Sequence, residues 1–121
     1  MPAATSSARF GKAARILRRR EFLAVQQRGR RVHGRELLVL ALDSGGKRPR
    51  LGITVSGKVA NSVTRNRVKR WVREAFRAVQ ADLPAVDLVV IARTGAGAVG
   101  LEGARAALEA ARERLAAGSG T

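Results

Sequence analysis

Hydrophobic positions recur along this chain with two periods, and the periods divide it into elements. From Asn61 to Gln80, NSVTRNRVKRWVREAFRAVQ, a turn of roughly 100° per residue gathers Val68, Trp71, Val72, Ala75, Phe76 and Val79 on one side and predicts an amphipathic helix. Asn61 or Thr64 is suited to cap its start. Leu101, Ala104, Leu108, Ala111 and Leu115 predict a packing helix from Glu102 to Ala117, with Gly118 beyond its end. A shorter helix, Glu21 to Arg28, carries Phe22 and Val25 on one face and is closed by Gly29 in a left-handed conformation. Residues 30–35 follow as a basic connector. Leu37 to Asp43 predicts a strand, 44–49 a turn, and Leu51 to Ser56 a second strand pairing back as a hairpin. In that second strand Leu51, Ile53 and Val55 alternate with Gly52, Thr54 and Ser56, so one face is apolar and the other small and polar. Asp87 to Ala92, DLVVIA, is the most apolar run and belongs at the centre of the sheet.

The polar side of the long helix is more informative than its apolar side. Arg65, Asn66, Lys69, Arg70, Arg73 and Arg77 fall opposite the hydrophobic stripe, with Glu74 alone of opposite sign at the margin. Like charges at i, i+4 cost a few tenths of a kcal/mol per pair in an isolated helix, so a partner must favour them. Solvated charged faces usually interleave signs, and this one does not. An Arg-rich ridge offers planar donor forks to paired phosphate oxygens, which marks it as a nucleic-acid face.

Composition narrows the rest. In 121 residues there is room for one domain and one modest core. Lys and Arg number 24 against 9 acids, a net charge of +15, which repels itself unless a polyanion neutralises it. Aromatic residues make up only 3%, limiting any mechanism built on serial base stacking. No cysteine is present, which removes disulfides, thiolate metal sites and cysteine nucleophiles and fits a reducing, cytoplasmic setting. The lone His33 reads as a surface side chain rather than a ligand or catalytic base. No apolar span of membrane length occurs, and no signal-peptide core. Residues 1–12 read as a disordered basic arm, and Arg15, Arg18, Arg19 and Arg20 add charge to a phosphate path. Gly95, Gly97 and Gly100 satisfy the dinucleotide-binding spacing, but no second strand ending in an acid follows, so the motif reads as a decoy.

Taken together, Arg20-Glu21-Phe22, Arg28-Gly29, the block RLGITVSGKVANSVTRNRVKRWVREAFR from Arg50 to Arg77, and DLVVIAR resemble the protein subunit of bacterial ribonuclease P, the endonuclease that removes the 5′ leader of precursor tRNA. Arg65, Asn66, Arg67, Lys69, Arg70, Arg73 and Glu74 match its signature run. The resemblance implies a single-domain α+β fold, an α-β sandwich of order α-β-β-β-α-β-α with a left-handed βαβ crossover, where general rules favour the right hand. It implies an RNA-binding domain over 13–117, with 118–121 as a flexible tail. It further implies that an RNA subunit carries the chemistry and the Mg²⁺, with no catalytic residue and no bound cofactor in this chain. On that footing Lys58, Asn61, Arg65, Asn66, Arg67, Lys69, Arg70, Arg73 and Arg77 are the candidate RNA contacts. Phe22, Thr54, Ser56 and Lys58 are the candidate contacts to the precursor-tRNA leader.

Four positions depart from the family pattern. Gln26 and Leu40 stand where the family often has an aromatic facing the leader, Gly57 where Lys is usual, and Ala60 where Gly is usual. Leader binding is therefore expected to rest more on phosphate contacts and less on stacking. The competing readings are a ribosomal-type RNA-binding protein and a nuclease that works without RNA. The first is separated by which RNA the chain captures, the second by cleavage of precursor tRNA by RNA-free protein.

Overall fold

The computed structural model describes residues 15, 16, 18–34, 36–43, 48–55 and 61–118. Its order is α1 (Arg19–Arg28), β1 (Arg30–Gly34), β2 (Leu37–Asp43), β3 (Arg50–Val55), α2 (Ser62–Val79), β4 (Val86–Ala92) and α3 (Gly100–Gly118). Short 3₁₀ turns at Gln80–Asp82 and Ala96–Ala98 flank β4. This is the α-β-β-β-α-β-α order that the family resemblance implies. The expected arm at 1–12, the tail residues 119–121, and Ser56, Gly57, Lys58 and Ala60 lie outside the described residues.

Four strands form one mixed sheet in the order β1-β2-β4-β3. β4 pairs antiparallel with β2 and parallel with β3, with Leu51 opposite Leu88 and Ile53 opposite Val90. The expected hairpin of β2 with β3 is therefore wrong, because β4 lies between them. Alternation tells which face of a strand is buried but not which strand sits beside it. DLVVIA, apolar on both faces, takes an inner place where both of its edges are paired. A parallel β3–β4 pair then needs a crossover, and α2 supplies it.

The stretch expected as a basic connector is in fact a strand. β1 pairs with β2, with a register shift between Arg31 and His33. Only Val32 in it is buried, too weak a pattern to show as alternation. Gly29 also differs from expectation, since its φ is −73° and extended rather than left-handed. A Cβ there would lie 2.4 Å from the Val25 carbonyl oxygen and 3.0 Å from that of Ala41, so glycine is needed for close approach and not for handedness.

The faces of the sheet are covered unequally. On one, Leu37, Val39, Ala41, Leu51, Leu88 and Val90 meet Val68, Val72, Ala75, Phe76 and Val79 of α2 and Ala104, Leu108, Ala111 and Leu115 of α3 in one continuous core. Trp71, expected within the stripe, is only half-buried at its margin. On the other face α1 covers a smaller cluster of Ile16, Val25 and Val89, flanked by Phe22, Leu40, Leu42 and Ile91. Among the described residues no helix is long and apolar enough to cross a membrane.

The decoy glycines have structural work. Gly95 and Gly100 adopt φ of +95° and +68°, and a Cβ on Gly97 would come within 2.9 Å of the Thr64 side chain. They shape the turn that seats buried Ala96 beside the start of α2.

Candidate nucleic-acid interface

The helix that carries the cations starts at a defined point. Asn61 is extended, and its side-chain Oδ1 accepts the Thr64 N–H at 2.9 Å, which satisfies one of the helix's open amides. That settles the cap on Asn61 over Thr64. It also gives this candidate RNA contact a local structural duty.

The helix rotation then sorts the candidate residues. Arg65 and Lys69 are half-buried along the margin that adjoins the core, while Asn66, Arg67, Arg70, Arg73 and Arg77 are exposed. By the same rotation, Asn66, Arg70 and Arg77 form the outward ridge and Arg67 lies on the far flank, beside Trp71. The signature cations therefore face in more than one direction. Lys69 and Arg73 turn toward the sheet and, with Arg15, Ile16, Phe22, Leu51, Gly52 and Ile53, line a pocket of about 150 Å³.

That pocket shares Phe22 and Ile53 with a wider cleft of about 530 Å³, lined also by Arg19, Leu23, Gln26 and Thr54. The two together run along β3, one of the two edge strands of the sheet, between α1 and α2. Gly52 forms part of the floor beneath Phe22, because a Cβ there would lie only 2.6 Å from the ring. The ring can rest on the strand only because position 52 has no side chain. Leu23, 38% exposed, adds an uncovered apolar surface at the mouth. The arrangement offers an aromatic ring and aliphatic walls for bases, with cations at its ends for phosphates.

Phe22 and Thr54, two of the candidate leader contacts, thus line the same cleft. Gln26 also lines the cleft, whereas Leu40 packs into the small cluster under α1. Reading the sequence did not single out Leu23, Gly52 or Ile53, whose roles depend on α1 lying across β3.

Arg50 was also missed as a structural group. Its Nε donates to Asp87 Oδ1 at 2.9 Å and its Nη2 to Asp87 Oδ2 at 2.8 Å, a bidentate pair across the β3–β4 register. Nη2 also reaches Glu21 Oε2 on α1 at 3.1 Å. Hydrogen bonding to Asp87 holds the guanidinium above its usual value, against burial and with help from Glu21. Burial raises the Glu21 carboxyl, but hydrogen bonding and charge from Arg50, aided by Arg18, leave it below its ordinary value. A cation and an acid opening the two strands were the only signal in the sequence, and it meant nothing without the register.

A groove of about 580 Å³ lies apart, lined by His33, Glu36, Leu37, Gly95, Val99 and small residues of α3. It is larger than the cleft, but its lining holds no Lys or Arg, whereas the pockets along β3 include Arg15, Arg19, Lys69 and Arg73. Among the described residues no three His, Asp or Glu side chains converge as a metal site. The acids beside the cleft, Glu21 and Asp87, are both engaged by Arg50 and so do not fit as a donor set for a divalent ion.

Comparison with known proteins agrees with the geometry. A Ribonuclease P protein component from Desulfovibrio desulfuricans is 46% identical over 98 residues, covering 78% of this chain and 75% of that protein. The structure of the Staphylococcus aureus RNase P protein superimposes with a TM-score of 0.75 at 33% identity, covering 84% of this chain and 94% of that one. That of the RNase P protein from Thermotoga maritima gives 0.72 at 33% identity, covering 83% and 96%. Residues 10–116 match the Ribonuclease P family, and with the cation-bearing crossover helix and mixed sheet they show that this chain belongs to the protein component of ribonuclease P, an enzyme of tRNA processing.

Proposed function

We propose that this chain docks on the catalytic RNA of a ribonuclease P through α2 and holds the single-stranded 5′ leader of precursor tRNA along β3. The observation that carries this reading is the cleft, where Phe22 lies on Gly52, with Arg15, Lys69 and Arg73 lining the smaller pocket and Arg19 the wider one that shares Phe22 with it. Phe22 stacks on a base, Thr54 and Gln26 supply hydrogen bonds, and the flanking cations hold successive phosphates. Asn66, Arg70 and Arg77, facing outward, meet phosphates of the RNA subunit, with Arg65 and Arg67 at either margin. Lys58 and Ser56, which fall between β3 and α2 in the sequence, are further leader contacts in this reading, and Asn61 adds a contact through the part of its amide not used as a cap. Cleavage belongs to the RNA, which also holds the Mg²⁺. The setting is the cytoplasm, where precursor tRNA is made.

Reconstitution tests this reading. Protein mixed with a bacterial ribonuclease P RNA should bind it with log affinity falling against log salt at a slope of roughly −4 to −5 if about six phosphates are neutralised. The reconstituted complex should bind precursor tRNA more tightly than the same tRNA lacking its leader. A slope near zero, or equal affinity for the two tRNAs, contradicts the reading.

A further inference from the structure

To stack on a base, the Phe22 ring must be held in place over the strand. α1 offers few apolar anchors: only Val25 on it is fully buried, and Phe22 is partly buried against the same small cluster. Its N-cap, Arg18, makes no side-chain capping hydrogen bond. What the start of the helix has instead is a directional polar tie. Asp87 is 6% exposed and grips Arg50 with both carboxylate oxygens, which fixes the plane of the guanidinium. The remaining reach of that guanidinium goes to Glu21, at 3.1 Å from Nη2 and 3.5 Å from Nη1.

Arg50 and Gly52 are two residues apart on β3 and so face the same side. Glu21 meets the first and Phe22, its neighbour in sequence, lies on the second. We infer that Glu21, Arg50 and Asp87 form a clasp that positions Phe22 over Gly52, so that the leader is gripped by a ring aimed from β4 through β3. The inference rests on the leader reading above and deepens it.

A partly buried ion pair adds little net stability against an apolar replacement, but its geometry selects one arrangement over its neighbours. The effect should therefore show in substrate selection more than in folding. Glu21 and Arg50 are positioning residues in this scheme, and neither needs to touch the leader.

The test uses the reconstituted holoenzyme and reads the ratio of affinities for precursor tRNA with and without its leader. Phe22→Ala should lower that ratio by at least about fivefold, as loss of one stacked base requires. Glu21→Gln, which keeps the side chain's shape and removes its charge, should lower it by about threefold or more while affinity for the RNA subunit stays within about twofold. In the Phe22→Ala background, Glu21→Gln should cause no further loss, because the clasp has nothing left to aim. If Glu21→Gln leaves the ratio intact while Phe22→Ala lowers it, the clasp is refuted and the leader reading survives. If the two losses add in full, Glu21 acts without Phe22 and the clasp is likewise refuted. If Phe22→Ala changes nothing, both fall together.

Discussion

The two faces of the sheet are built by different means. On the α2/α3 side, Phe76, Leu88, Leu108 and Leu115 are sealed at 0–1% exposure, and hydrocarbon alone closes the layer. On the α1 side, three buried residues and one shared guanidinium hold the helix, and the space left over is the cleft. A well-filled layer leaves nowhere for a ligand. A sparsely filled one leaves room, but must set its geometry by direction, through hydrogen-bonded ions and a ring laid on glycine. Substitutions on the first face should therefore act on folding, and those on the second on binding.

The largest separation is expected from Phe76→Ala. Removal of a fully buried ring should cost about 3–5 kcal/mol, read as a lowered urea midpoint, without selective loss of leader discrimination in whatever fraction remains folded. Trp71→Ala on the same helix should cost less than that range, because the indole is only half-buried.

Next comes the outward ridge. Arg70→Glu combined with Arg77→Glu should lower affinity for the RNA subunit by at least about tenfold at moderate salt and flatten the salt slope by about 2, while the melting temperature stays nearly constant. Both side chains are exposed and neither lies on the apolar stripe. Asn61→Ala blurs the contrast in an informative way. Loss of the cap should cost about 1 kcal/mol of stability by urea unfolding, separate from any loss of RNA contact.

The smallest effect concerns the Glu21–Arg50 pair. The Glu21 carboxyl lies below its ordinary value of 4.5 in the folded protein, so the unfolded chain binds its proton first as pH falls. Its contribution to stability is complete above that value and is lost as pH falls through the lower, folded value. The difference in urea midpoint between wild type and Glu21→Gln should accordingly be present at pH 7 and shrink below pH 4.5. A difference that persists unchanged at pH 3 would show that the charge on Glu21 does not contribute.

How far the sequence carried the fold depended on which information each element needs. α2 and α3 were legible because Val68 to Val79 and Ala104 to Leu115 carry the helical period on their own. β4 was legible as an inner strand because DLVVIA has no polar face beyond Asp87. β1 was not, since Val32 is its one buried position. The partner of β3 was not, because burial alternation is the same whichever strand lies alongside. The α2 cations were legible as a set from their rotation, but their division into outward Arg70 and cleft-facing Lys69 required the sheet. The Glu21–Arg50–Asp87 contacts span 29 and 37 residues of separation, and nothing local encodes them.

The glycines of the β4–α3 turn lie in a segment that packs against the start of α2. Their spacing mimics a pyrophosphate cradle, yet the place such a ligand would approach at Gly97 is filled by the methyl of Thr64, the residue whose amide Asn61 caps. That turn is a backstop for the first turn of the cation-bearing helix. A single added methyl at Gly97, more than thirty positions downstream, would meet the Thr64 side chain at 2.9 Å and force it to shift within the first turn of that helix.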